Sequence, residues 1–141
     1  DMIRMSPFVS AMERLCRENL RYEVYLGEVT VDRPATPYVL VKLPPVNMGN
    51  GECLDGELRE ISYLQPITMV AATADRLLAV VDDVRRGLEG QQLQTGSNYC
   101  EPLRLEYCSG LLRDDQVTVP EVGHPFYGVD MWRVRAVRHF H

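Results

Sequence analysis

The run Glu60-Ile61-Ser62-Tyr63-Leu64-Gln65-Pro66-Ile67-Thr68-Met69-Val70 decides the fold, together with the segment that follows it, Ala74-Asp75-Arg76-Leu77-Leu78-Ala79-Val80-Val81-Asp82-Asp83-Val84-Arg85-Arg86-Gly87-Leu88. In the first run Ile61, Tyr63, Ile67 and Met69 recur every second residue, the period of a strand with one buried face. In the second the apolar spacing turns helical, with Leu77, Val81, Val84 and Leu88 on one stripe and Leu78 beside it. Thr73 suits the N-cap, Asp75 the positive start, and Arg85 and Arg86 the negative end. Gly87 and Gly90 give the chain places to leave the helix. A strand feeding a helix that packs back on its sheet is the unit around which the rest is arranged.

On the N-terminal side, Ser6-Pro7 is a helix-start signal. Phe8, Met12, Leu15 and Cys16 then share one face of an amphipathic helix over 7–19, and Leu20 closes its apolar side. Residues 22–26 alternate as a strand, with Gly27 a turn or bulge and an extended path continuing through Val29 and Val31. Residues 32–37 form a proline-marked loop, and 38–43, apolar at nearly every position, read as a more central strand ended by Pro44-Pro45.

Residues 46–59 form a long glycine- and asparagine-rich loop, a feature that in a compact domain points to function or mobility. Its Asn50, Glu52, Asp55 and Glu57 do not have EF-hand spacing, so a solvated acidic loop is the simpler reading. Beyond the central helix, 91–98 is a polar connection. Leu103, Leu105 and Tyr107 alternate as a strand, and 117–119 offers a short one. The last element runs over 126–140 with Trp132, Val134, Ala136 and Phe140 on one face and Arg133, Arg135 and His139 on the other. Helix, two strands, long loop, strand, helix and two or three strands make an α+β fold. The arrangement is one domain over 1–141: a mostly antiparallel sheet with the N-terminal helix and the main helix on one face.

Composition bounds the function. With 141 residues, 45% hydrophobic and 25% charged, the chain is ordinary globular material. No apolar run approaches the roughly 18 residues of a bilayer span, and the N-terminal segment, broken by Arg4, Glu13, Arg14 and Arg17, has no signal-peptide pattern. The expectation is a protein without membrane contact, made in the cytosol. A net charge of −5 with no basic tract argues against gripping nucleic acid, though not against letting it pass. Cys16, Cys53, Cys100 and Cys108 form no CxxC pair and read as reduced thiols.

No phosphate-binding glycine loop, G-x-S-x-G or H-E-x-x-H occurs. Asp82 and Asp83, adjacent on a helix, diverge by about 100° and cannot share a proton or a metal. His139 and His141 would project to one side of an extended end and could share a metal, with a frayed terminus the alternative. No catalytic residue, metal site or cofactor is expected. The long last strand and the proline of the Pro66 strand instead imply sheet edges, since proline is confined to edges or bulges and open edges pair with other chains. Assembly with other chains and a monomer whose loops cover its edges are both compatible with that.

The arrangement resembles the tail terminator proteins of long-tailed bacteriophages, also called tail-to-head joining or tail completion proteins. The matching pieces are Pro7-Phe8-Val9-Ser10-Ala11-Met12, Tyr38-Val39-Leu40-Val41, Ile67-Thr68-Met69-Val70, the helix 77–88, and Tyr127-Gly128-Val129-Asp130-Met131-Trp132. The resemblance implies a virion structural protein and no enzyme. It would form a hexameric ring of its own copies on the head-proximal end of the tail tube, assembled in the host cytoplasm. That ring would stop polymerisation of the major tail tube protein, meet the head-tail connector proteins, and pass DNA through a central channel without specific binding. Under it, Asn47, Met48, Asn50, Glu52, Asp55 and Glu57 are the expected contacts to a neighbouring subunit or the tube, the edge strands extend the sheet between subunits, and Arg133 and Arg135 are candidates to face the channel. A head-side connector or neck protein, and a small non-viral α+β enzyme or ligand-binding domain with a pocket under the long loop, are the alternatives.

Overall fold

The computed structural model describes residues 6–29, 35–44, 60–96, 98–110, 112–113 and 124–138. The strand and helix read from the central stretch are β3 (Glu60–Ala71) and α2 (Ala74–Leu88). Ile61, Tyr63, Ile67 and Met69 are buried on one face of β3, with Gln65 among them. Thr73 caps α2 from an extended conformation, its Oγ1 accepting from the Arg76 N–H at 3.2 Å. Leu77, Val80, Val81, Val84 and Leu88 are buried, whereas Leu78 is 50% exposed. The difference from the expected stripe comes from the neighbouring helix. α1 (Ser6–Asn19) ends against the flank of α2 that carries Val80 and Gly87, and Leu78 lies on the opposite flank.

Gly87 is not an exit from the helix. It lies inside α2, where an added Cβ would sit 2.9 Å from Leu20 Cδ2 and 3.3 Å from the Asn19 carbonyl oxygen. The absent side chain is what admits the end of α1. The exit is at Gly90, whose φ of +78° suits a residue without Cβ and whose N–H donates to the Leu103 carbonyl. Phe8, Ala11, Met12 and Cys16 of α1 are buried in the same core, with Leu15 at its margin and Leu20 closing it.

The fold is α+β, with a mixed sheet in the order β1–β2–β3–β7–β4. β1 (Glu23–Leu26) and β2 (Tyr38–Val41) run parallel, and every other pairing is antiparallel. The long last strand, β7 (Phe126–Arg138), pairs with β3 along its whole length, from Glu60↔Val137 to Ala71↔Phe126. Its other margin is taken in turn by β6 (Leu112–Arg113), β5 (Arg104–Cys108) and β4 (Asn98–Cys100). The expectation that β7 is an edge is therefore overturned: it is the most fully paired strand of the sheet.

Pro66 marks a local edge: the β2 ladder ends beside it, and no described strand pairs with residues 60–65 of β3 on that side. Beyond the last β2–β3 pair, Val41↔Ile67, the next position sets Lys42 opposite Pro66, and the Lys42 N–H donates to the Pro66 carbonyl at 3.2 Å. The reciprocal bond would need a proline N–H. Gln65 supplies the donor instead, its Nε2 reaching the Lys42 carbonyl oxygen at 2.6 Å and the Pro66 carbonyl at 3.0 Å. A neighbouring amide side chain thus takes the place of the donor that proline lacks.

The remaining differences are local. β5 begins at Arg104, leaving Leu103 buried ahead of it, and a bulge between Leu105 and Tyr107 turns Tyr107 out to 57% exposure instead of keeping it in line with Leu105. β4 overlaps the expected polar connection only at Asn98, and β6 has no counterpart among the expected strands. Residues 46–59, the strand expected at 117–119, Val31, His139 and His141 lie outside the described residues.

Candidate interaction surface

Register divides the sheet into two faces. Ile61, Tyr63, Gln65, Ile67 and Met69 of β3, with Asp130, Trp132, Val134 and Ala136 of β7, join α1 and α2 in the core. The alternate residues turn to the other side, where no described helix lies. Arg133 and Arg135 are on that uncovered side, opposite Leu64 and Ser62 respectively.

Around the two arginines is an open cleft of about 620 Å³ lined by Ser62, Glu101, Arg104, Glu106, Arg133 and Arg135. Arg133 donates to Glu106 Oε1 at 3.3 Å and to Ser62 Oγ at 3.1 Å. Arg135 approaches Glu101 Oε2 at 3.4 Å, both side chains half exposed. Arg104 stands directly across from Arg133, a like-charge pair that is unfavourable unless an anion lies close. Among the described residues that line the cleft, three arginines stand with two carboxylates, in a chain of net charge −5.

Farther along the same face is a groove of mixed character, about 330 Å³, lined by Tyr38, Leu40, Val70, Pro125, Tyr127 and Val129 together with Thr68 and Lys42. Tyr25 meets Tyr38 edge-on at 5.6 Å between ring centroids. Tyr99 pairs with Val137 and Tyr107 with Met131 on this side. Tyr99, Tyr107 and Val137 are 48%, 57% and 43% exposed. Five of the chain's seven tyrosines (Tyr25, Tyr38, Tyr99, Tyr107 and Tyr127) thus gather on the uncovered face. Tyrosine, methionine and arginine, residue types enriched in protein interfaces, gather on this face, together with Lys42, the one lysine of the sequence.

The core side holds two further polar clusters. Asp130, 1% exposed, takes both arms of the Arg85 guanidinium, Nε at 3.0 Å and Nη2 at 2.8 Å. That hydrogen-bonded pairing raises the Arg85 pKa above its ordinary value. At the junction of α1 and α2, Asp83 accepts from the Tyr22 hydroxyl and from Arg21 Nη2 at 2.9 Å. The Tyr22 bond, with help from Arg21, holds the Asp83 carboxyl below its usual range. Asp82, by contrast, points outward. Both clusters fasten elements to each other, α2 to β7 and the segment after α1 to α2.

The site residues expected from sequence divide accordingly. Arg133 and Arg135 are together on the uncovered face. Asn47, Met48, Asn50, Glu52, Asp55 and Glu57 lie outside the described residues. Glu101, Arg104, Glu106 and Ser62 were not singled out, although the alternation of Arg104 and Glu106 between apolar residues was a readable signal. Asp130 was also missed, and its inward parity with Trp132 was the clue. Among the described residues no three potential metal ligands gather, and no helix is long and apolar enough to cross a membrane. Cys16 and Cys100 are buried and Cys108 is exposed, all as free thiols.

No family model and no curated protein sequence matches the chain. Among solved structures, a chain of the virion of a native gene transfer agent particle superposes with a TM-score of 0.61, covering 91% of this chain and 96% of that one at 16% identity. What the two chains share is the fold.

Proposed function

We propose that this chain is a structural protein of a virion, and that within the virion it acts as a tail terminator. The observation that carries the reading is the shared fold: nearly the whole of this chain and nearly the whole of a gene transfer agent virion chain follow one architecture. The sequence resemblance to tail terminator proteins points the same way. In this reading copies of the chain form a hexameric ring at the head-proximal end of the tail tube, end its polymerisation, and provide the seat for the head-tail connector proteins. DNA passes through the centre and is not held, in keeping with an acidic chain in which Arg133 and Arg135 are engaged by carboxylates.

The loop carrying Asn47, Met48, Asn50, Glu52, Asp55 and Glu57 is assigned to contact a neighbouring copy or the tube. Arg133 and Arg135 lie on the sheet face that no described helix covers, which suits either the wall of the channel or the seam between copies.

The test is to add the purified chain to tube protein of the same particle while it polymerises. A terminator shortens the tubes and leaves a ring at one end of each in negative stain, and deletion of residues 47–56 abolishes capping while the circular dichroism of the fold persists. Tubes of unchanged length in the presence of intact chain overturn the terminator role. Unchanged tubes together with binding to connector rings would instead favour a head-side neck protein.

A further inference from the structure

We infer that copies of this chain associate head to tail, the outer side of α2 in one copy seated on the uncovered sheet face of the next. The inference deepens the self-assembly reading proposed above and rests on it. It places Arg133 and Arg135 in the seam between copies.

Two surfaces on opposite sides of the same two-layer domain carry the argument. Asp75, Leu78, Ala79, Asp82, Arg86 and Glu89 form one outward stripe along α2 and its cap, all exposed. Its acids outnumber its single arginine, which is already drawn to Asp83 at 3.7 Å. Leu78, 50% exposed in the middle of a charged stripe, has no described apolar cover. The sheet face offers the complement: a groove with tyrosine, leucine and valine walls and the Lys42 ammonium, beside an arginine-rich cleft.

The spacings agree. From Leu78 to Glu89 is about 16 Å along a helix. From Val129, in the groove, to Arg133 and Arg135 is about 13 to 20 Å along a strand. Leu78 in the groove therefore brings Glu89 over the arginines. Because the two surfaces face opposite ways, they cannot meet within one copy. The contact is heterologous, the class that closes into rings when its rotation allows.

Charge exchange tests it. The sheet variant carries Arg104→Glu and Arg135→Glu, the helix variant Asp82→Arg and Glu89→Arg, and a third chain carries all four. All positions are exposed, and thermal melts monitor folding. Association is followed by sedimentation equilibrium up to millimolar chain in low and high salt. The intact chain should associate more tightly in low salt. Each two-site variant should weaken association roughly tenfold or more, since like charges then face each other. The four-site chain, and an equimolar mixture of the two variants, should recover it. If the intact chain associates but the two-site variants do so equally well, or the exchanged pairs do not recover, this contact is overturned while self-assembly stands. If the intact chain stays monomeric throughout and also forms no ring on tube ends, the self-assembly reading falls and this contact with it.

Discussion

At Pro66 the ladder between β2 and β3 loses a donor, and the Gln65 side chain restores it. The bond can be tested as a coupling. Gln65→Leu should cost about 1 to 2 kcal/mol, because the Lys42 carbonyl loses its partner. In a Pro66→Ala background the same substitution should cost less, since a main-chain N–H returns at position 66. Urea unfolding of the four chains gives the cycle, and equal costs in both backgrounds would refute the assignment. Cys16 supplies a second residue-scale test. Burial pushes its thiol from 9.0 up to about 12. Above pH 9 the unfolded chain releases a proton that the folded chain keeps, so stability falls as the pH climbs from 9 towards 12, by at most about 1.4 kcal/mol per pH unit for this group. Tyr63, its pKa raised mainly by burial, adds a fall of the same sign from about 10 upward. Cys16→Ala should therefore lessen the decline between pH 9 and 10 in urea titrations, leaving the contributions of Cys100, also raised by burial, and of the tyrosines. A decline of unchanged slope there would count against it.

Among the elements, α2 is held to the sheet by apolar burial and by one polar clamp. Removing one member of the Arg85–Asp130 pair strands a charge in the core. Arg85→Ala should lose about 3 kcal/mol in urea unfolding, and the joint change Arg85→Met with Asp130→Leu should recover most of it. The β3–α2 unit was legible in sequence because both of its periods are long enough to be unmistakable. The N-terminal helix was legible for the same reason. β4 and β6 were not, being short segments whose strand character comes entirely from lying beside β7. The length of β7 suggests an edge, but the short segments that fill its second margin are set only by the tertiary structure. Gly87 was misread because the helix it admits is distant in sequence.

At the scale of the molecule, the α+β class and the one-sided helix layer follow from the alternation in β3 and β7 and the stripes of the two helices. Which face would meet a partner does not follow from them. The inward set is marked by its hydrophobicity, but the uncovered face becomes visible only when register brings tyrosines from five separate strands and arginines from two onto one side. Arg133 and Arg135 could be placed on that side from alternation alone. Their carboxylate partners on Glu101 and Glu106 come from segments whose positions only the tertiary structure sets.

The position of β7 has a consequence for how the protein is made. Each strand that β7 pairs with (β3, β4, β5 and β6) precedes it in the chain. During translation, none of those four can complete its ladder until residues 126–138 have cleared the ribosome. The emerging chain must carry β3, with its apolar row and unpaired margin, through the synthesis of residues 72–125 before the strand that closes it arrives. Nascent chains stalled ahead of Phe126 are thus the form of this protein most in need of a chaperone.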